Sequence, residues 1–154
     1  MLHVTCLAHA LHRVAEELCE KSSSVNSVIS SVKKIFIKAL SRIRAFKTMH
    51  PELPLPPEPI LTRWRTWILA ALYYAENHRA VEEVINTFDE AEAKAAFKMK
   101  SLMLALIFIK AYMSVIPEAI LKLESQGMEL VEVVATIQGV IREADSWPRE
   151  TGKL

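Results

Sequence analysis

The sequence contains three glycines in 154 residues, and none of them belongs to a Gly-x-Gly or a Gly-Lys-Ser/Thr pattern. Loops that bind nucleotide phosphates need closely spaced glycines, because backbone N–H groups must approach the phosphate without side chains in the way. The scarcity of glycine therefore excludes a P-loop and a dinucleotide-binding turn.

Aspartate is also scarce, since Asp89 and Asp145 are the two in the chain. Metal-dependent hydrolysis and phosphoryl transfer need carboxylates that converge on a divalent ion. Asp89 is interpreted as a helix cap, Asp145 lies near the C-terminal tail, and the sixteen glutamates show no diagnostic pairing. We therefore expect no enzymatic activity, no cofactor and no small-molecule substrate.

The two cysteines, Cys6 and Cys19, are thirteen residues apart in one predicted helix. A rise of about 1.5 Å per residue separates them by roughly 20 Å, which is beyond the reach of a disulfide. Free thiols are typical of a reducing compartment. The N-terminus lacks the long apolar run of a secretory signal, and the apolar segment 102–109 is too short to span a bilayer. We expect a soluble nuclear or cytoplasmic protein with no membrane partner.

Apolar residues at helical spacing are abundant in the first third of the chain. The first helix shows one apolar face, formed by Leu7, Leu11, Val14 and Leu18. The second helix is expected to run without a break from residue 25 to residue 46. The segment 50–59 holds five of the seven prolines, so it should be an extended, stiff connector.

The same spacing continues after the connector. A helix is expected to begin near Thr62, with a break or a bend at 76–78. Asp89 followed by Glu92 resembles a capping box, and the long helix that it opens should run to about Val115.

The C-terminal part predicts two further helices. A short helix at 117–126 should end at Gly127, and the last helix should begin near Glu129. The last helix shows an apolar face formed by Leu130, Val134, Ile137 and Ile141. The sequence therefore predicts an all-α bundle of about six helices. Three regions are expected, namely a helical pair with its connector at 1–62, a helical domain at 63–146 and a tail at 147–154.

Positive charge is concentrated in the first half of the chain. Residues 1–65 carry ten Lys/Arg and five Asp/Glu, whereas residues 66–154 carry nine and thirteen, so the net charges are +5 and −4. The second helix places Lys34, Lys38 and Arg42 at four-residue steps, with Lys33 beside them. Such a stripe could follow a phosphate backbone; the alternative is an ordinary solvated helix face.

A cluster of arginine and tryptophan follows the prolines, and comprises Arg63, Trp64 and Trp67. Arginine beside tryptophan at the start of a helix can stack on a base and contact phosphate. Trp64 is in phase with the apolar face of its helix, so packing in the core is the alternative.

Cys6 and His9 share one side of the first helix at a spacing of three residues. A thiol and an imidazole in this arrangement could supply half of a zinc site. A structural zinc needs four ligands, and the other histidines are scattered, so interhelical contacts are the simpler interpretation.

Three segments resemble proteins of the hAT transposase superfamily. "HVTCLAHALHRVAEEL" (3–18) resembles the segment that carries their Cys-x-x-His motif, and "LTRWRTWILAALYYAEN" (61–77) resembles the Thr-Arg-Trp block that follows. Residues 106–134 are similar to helical sequence found after that block. The resemblance covers roughly residues 3–146.

The resemblance implies part of an RNase H-like nuclease fold interrupted by a helical insertion. In intact family members two aspartates and a late glutamate bind divalent metal for DNA cleavage and strand transfer. By position, Cys6 and His9 would pack beside that metal centre, and Arg63 and Trp64 would lie close to the cleaved transposon end. The catalytic acids have no counterparts in this chain, and Arg65 stands where many relatives have glycine.

Two functional hypotheses follow. The first is a truncated, non-catalytic, transposase-derived protein that binds DNA weakly and without sequence preference through residues 33–47 and 63–67. The alternative is a helical protein-interaction module that self-associates through exposed apolar faces and has no role with nucleic acid.

Overall fold

The computed structural model of the protein describes residues 6–60 and 63–146, and these residues form eight helices and no strand. The helices are α1 Leu7–Lys21, α2 Ser23–Phe36, α3 Leu40–Met49, α4 Trp64–Asn86, α5 Ala91–Phe97, α6 Lys100–Tyr112, α7 Ile116–Leu123 and α8 Leu130–Asp145. The predicted all-α class is confirmed, with eight helices in place of about six. The tail at 147–154 lies outside the described residues.

The longest helix, α4, is central to the bundle and packs against α1, α2, α3, α5, α6 and α7. Its buried residues are Trp67, Ile68, Ala70, Ala71, Tyr74, Val81, Val84 and Ile85. Ala70 and Ala71 are fully buried, so neighbouring helices can approach the α4 backbone closely. The helix continues through 76–78, where the sequence allowed a bend. Core residues from both sides of the predicted boundary at 62/63 belong to one hydrophobic cluster.

The prediction of one unbroken helix from 25 to 46 is wrong. The chain leaves the helix after Phe36, and Lys38 adopts a left-handed conformation with φ 54° before α3 begins. The break brings Phe36 and Phe46 into edge-to-face contact, with ring centroids 5.6 Å apart. In a straight helix ten residues rise about 15 Å, so the unbroken form could not make this contact.

The predicted long helix from Asp89 to about Val115 is also divided. Glu90, not Asp89, occupies the N-cap position of α5, and no side-chain capping bond is formed there. The helix ends after Phe97, and Met99 has an extended conformation before α6. The turn allows α5 to pack on α2 while α6 packs on α4, so each apolar segment covers a different part of the core.

The buried faces of the first and last helices differ from the apolar faces seen in the sequence. In α1 the buried residues are Ala8, Leu11 and Ala15, while Leu7 and Val14 are exposed. Two of the three buried residues are alanines, and Leu11 is the residue of the predicted face that is fully in the core.

In α8 the predicted apolar face is mostly exposed. Leu130, Val134 and Ile141 are 78%, 46% and 55% exposed, while Ile137 is half-buried and Val140 is buried. This helix packs mainly on α7, so most of its apolar stripe has no partner among the described residues.

The turn before α8 contains Gly127, whose φ of 80° is left-handed, but Gly127 does not end α7 as predicted, because the C-cap residue of that helix is Glu124. Helix α7 itself ends at Leu123, earlier than predicted. A capping box joins Glu129 and Glu132 at the start of α8, which satisfies backbone N–H groups of its first turn.

Within the described ranges, no helix taken alone is both long and apolar enough to cross a bilayer. Helices α6 and α7 meet the length and composition test together, and a bend of 48° separates them.

Candidate nucleic-acid interface

The predicted basic stripe does not form a uniform positive surface. Lys33 lies 3.6 Å from Glu58, Lys34 lies 2.9 Å from Glu92, and Arg42 lies 2.6 Å from Glu90. Lys38 is exposed at the break between α2 and α3. The three carboxylates offset three of the four cations, which leaves about one net positive charge. The sequence could not indicate these pairs, because the acids follow in the connector and the α4–α5 region.

Arg42 also has a structural role at the break. One of its terminal nitrogens donates to the backbone carbonyl of Ile35 at 3.3 Å, and its guanidinium lies 5.6 Å from the ring centroid of Phe88. Together with the ion pair to Glu90, these contacts join α3 to the end of α2 and to the segment before α5. A side chain held on three sides is poorly placed to contact DNA.

Trp67 is buried, at 5% exposure, and lies inside the bundle. Its indole N–H donates to Asn26 Oδ1 at 2.7 Å, and the Asn26 amide N–H donates to the backbone carbonyl of Cys19 at 2.6 Å. This network links α1, α2 and α4. A base cannot stack on a ring that is inside the core, so Trp67 is not among the side chains that this structure offers to DNA.

Cys19 completes this network. Its thiol donates to Asn26 Oδ1 at 3.4 Å, and burial is the main cause that raises the pKa of Cys19, partly offset by that hydrogen bond. Cys6 is exposed at the N-cap position of α1. No group of three or more His, Cys, Asp or Glu side chains in the described ranges could hold a metal ion.

Trp64, in contrast, is half-buried and lies at the edge of a surface cavity of about 170 Å³. The cavity is lined by His9, His12, Arg13, Glu16 and Trp64. The structure thus brings His9 of the Cys-x-x-His segment beside Trp64 of the Arg-Trp pair. Cys6 is not among the lining residues.

A second, larger cavity of about 420 Å³ shares His12 with the first. It is lined by His12, Arg63, Arg65, Thr66 and Glu124. His12 Nε2 lies 3.0 Å from Glu124 Oε1, so α1 and the end of α7 are connected across the cavity. The Arg65 side chain donates from Nε to the backbone carbonyl of Pro117 at 3.1 Å, which fixes the position of the guanidinium.

The two cavities meet at the first turn of α4. Arg63 is the exposed N-cap residue, and its side chain makes no capping bond. Among the described residues neither Arg13 nor Arg63 is ion-paired. The N-terminus of a helix carries partial positive charge, which favours an anion beside these side chains. We refer to the surface formed by His9, His12, Arg13, Arg63, Trp64 and Arg65 as the α1–α4 surface.

Part of the α1–α4 surface was visible in the sequence and part was not. His9, Arg63 and Trp64 stood out because of their motifs. Arg13 shares one side of the first helix with Cys6 and His9, one turn after His9, but the sequence pattern alone did not assign it to the DNA-binding site. The His12–Glu124 contact joins residues 112 positions apart, so nothing in the local pattern could indicate it.

No family model, curated protein or solved structure matches this chain.

Proposed function

We propose that the protein is a non-catalytic, transposase-derived helical domain that binds duplex DNA weakly and without sequence preference through the α1–α4 surface. The main supporting observation is the position of Arg13 and Arg63, which are not ion-paired among the described residues, beside the half-buried Trp64 at the start of a 23-residue helix. The resemblance of the Cys-x-x-His and Arg-Trp segments to hAT transposases supports the same location.

The physical basis of this binding is electrostatic. Arginine side chains and the N-terminus of a helix contact phosphate oxygens, which positions DNA but does not read its sequence. The exposed part of Trp64 adds an aromatic surface beside these groups. Glu16 and Glu124 lie in the same cavities and reduce the positive potential, so we expect weak binding.

Binding should depend steeply on salt. Two or three phosphate contacts predict a slope of log K against log salt of roughly −2 to −3, because each contact releases condensed counterions. Fluorescence anisotropy of a labelled 20-base-pair duplex, titrated at several salt concentrations, measures this slope. No binding at low salt, or a slope near zero, would refute the proposal.

The absence of catalysis is tested separately. The pure protein is incubated with supercoiled plasmid and Mg²⁺ or Mn²⁺, with EDTA as the matched control. We expect no nicking above the EDTA control. Nicking that depends on the metal and co-purifies with the protein would show that this part of the proposal is wrong.

Self-association is the second candidate function, and the exposed stripe of α8 favours it. Its apolar residues follow one another at steps of four, three and four positions, in the order Leu130, Val134, Ile137 and Ile141. This spacing reads the same in both directions, so two antiparallel copies of α8 would match Leu130 with Ile141 and Val134 with Ile137.

Light scattering coupled to size-exclusion chromatography tests this candidate. A mass that rises with protein concentration, and that returns to a monomer in Leu130→Glu/Ile141→Glu, would support it. Lys98→Glu, at an exposed residue just after α5, is a surface control. A constant monomer mass across the concentration range would count against self-association.

A further inference from the structure

Helix α6 has an exposed apolar side, although its other side lies in the core. Leu104 and Ile107 are 67% and 57% exposed, and Met103 beside them is 41% exposed. The exposed residues Lys100, Leu104, Ile107 and Ala111 follow one another at steps of four, three and four positions. Alternating steps of four and three are typical of a helix side that packs along another helix. We refer to these five residues as the outer face of α6.

The same spacing occurs in the exposed stripe of α8, formed by Leu130, Val134, Ile137 and Ile141. Leu130 and Ile141, at its two ends, are its most exposed members. Helix α6 packs on α4 and α2, whereas α8 packs mainly on α7. Because both surfaces are exposed in the same chain, they do not cover each other. A contact between them therefore needs a second copy of the chain.

The outer face of α6 has basic surroundings. Helix α6 contains Lys100 and Lys110 and no carboxylate, and the chain has no Asp or Glu between Glu92 and Glu118. Lys110 lies 3.6 Å from Glu76, whereas Lys100 has no ion pair within the described ranges. A partner helix that covers this face should therefore be acidic.

Helix α8, taken with its N-cap residue, is acidic. It has four carboxylates and one arginine, so its net charge is −3; these residues are Glu129, Glu132, Glu143, Asp145 and Arg142. All five are exposed, and none is ion-paired in the part of the chain that the structure describes. Acids lie at both ends of α8 and a lysine lies near each end of α6, so opposite charges meet in either orientation. Two α8 helices side by side would repel each other.

We propose that α8 of one copy docks on the outer face of α6 of a second copy. The inference rests on self-association, the second candidate function, and names α6 instead of another α8 as the partner helix. The apolar side chains supply the contact area, and the opposite charges select the partner. One pair of helices makes a small interface, so we expect a dissociation constant in the micromolar range.

Two double variants test this pairing by complementation. Leu104→Glu/Ile107→Glu disrupts the outer face of α6 and keeps α8, and Leu130→Glu/Ile141→Glu does the reverse. Each variant alone should be a monomer in light scattering coupled to size-exclusion chromatography, because one of the two surfaces is missing. Mixed in equal amounts they should form a one-to-one complex, since one copy supplies α8 and the other supplies α6. A pair of α8 helices could not form this complex.

The dependence on salt and a charge-matched variant are the controls. Salt screens opposite charges, so the mixed complex should weaken severalfold between about 0.05 M and about 0.5 M NaCl. Ser41→Glu/Thr48→Glu adds the same two carboxylates at exposed positions of α3 and should self-associate like the parent chain. Circular dichroism checks the fold of each variant. An unfolded glutamate variant is replaced by the alanine variant at the same positions, Leu104→Ala/Ile107→Ala or Leu130→Ala/Ile141→Ala.

The inference and the candidate function that it rests on fail in different ways. If the parent chain associates and Leu104→Glu/Ile107→Glu still associates, the contact lies elsewhere, although self-association is correct. A mixture that stays monomeric, or a complex that tightens with salt, would also overturn the α6–α8 contact. A parent chain that is monomeric at every concentration would refute both. If that monomer sediments with vesicles of phosphatidylcholine and phosphatidylserine, and Leu104→Glu/Ile107→Glu does not, the outer face of α6 binds lipid instead.

Discussion

Phe36 and Phe46 lie edge to face, with their ring centroids 5.6 Å apart and their planes at 85°, although ten residues separate them. Phe88 adds a third ring 6.4 Å from Phe36. This aromatic cluster explains why the chain leaves the helix at 37–39, since both rings become buried against α4 and its C-terminal end. The same break ends the regular i, i+4 arrangement of Lys34, Lys38 and Arg42.

The left-handed conformation of Lys38 predicts a stabilising substitution. A side chain with a Cβ at φ 54° costs about 1 kcal/mol, and glycine does not incur this cost. Lys38→Gly should therefore raise the free energy of unfolding by about 0.5–1 kcal/mol in urea denaturation. Lys38→Ala is the control and should give no such gain. A less stable Lys38→Gly would show that the α2–α3 break is not left-handed at this residue.

The hydrogen bond between Trp67 and Asn26 predicts a specific loss of stability. Trp67→Phe keeps an aromatic ring in the core but removes the donor to Asn26 Oδ1, so we expect a loss of about 1–3 kcal/mol. Trp64→Phe, at the half-buried neighbour, should cost less. Chemical denaturation of both variants measures the difference. Equal losses would show that the buried hydrogen bond does not distinguish the two tryptophans.

The sequence predicted the bundle correctly where the spacing of large apolar side chains along a single segment determines the structure. Helical spacing identified the all-α class, and the prolines at 51–59 identified the connector. The break at Lys38 was not predictable, because the apolar stripe continues through it and only a distant contact between two rings decides the conformation. The burial of Ala8 and Ala15 was missed for the opposite reason, since close approach selects small residues that carry little apolar signal.

The candidate site shows the same limit. Arg63 and Trp64 were recognisable from their local context, but the neutralisation of Lys34 and Arg42 depends on Glu92 and Glu90, which are about fifty residues away. Counting the charges along one helix therefore overestimated the positive electrostatic potential of that face. Because these long-range ion pairs offset the charge of the basic stripe, the better candidate for DNA contact is the surface formed by α1 and the start of α4.

Two neighbouring tyrosines predict a loss of stability at alkaline pH. Burial raises the pKa of Tyr73 to about 12 and raises the pKa of Tyr74 further in the same direction. The folded protein thus holds these protons more tightly than the unfolded chain, whose tyrosines have a pKa near 10. The stabilisation is complete below about pH 10 and is lost as the pH rises towards 12 and beyond.

Tyr74→Phe isolates this effect, because it keeps the buried ring and removes the hydroxyl. We expect the variant to lose less stability than the parent between pH 9 and pH 11.5, measured by urea denaturation at each pH. The parent should also show a tyrosinate absorbance that rises together with unfolding. Identical pH dependence in the two proteins would contradict the assignment.

The most direct test of the account compares two double variants that remove the same charge from different surfaces. Arg13→Glu/Arg63→Glu alters the α1–α4 surface, and Lys34→Glu/Lys38→Glu alters the predicted basic stripe; each changes the net charge by the same amount. Anisotropy with a labelled duplex at low salt is the measurement. We predict that Arg13→Glu/Arg63→Glu abolishes binding and that Lys34→Glu/Lys38→Glu weakens it only slightly. Equal losses in both variants, or a larger loss in Lys34→Glu/Lys38→Glu, would contradict the placement of the DNA contact at the α1–α4 surface.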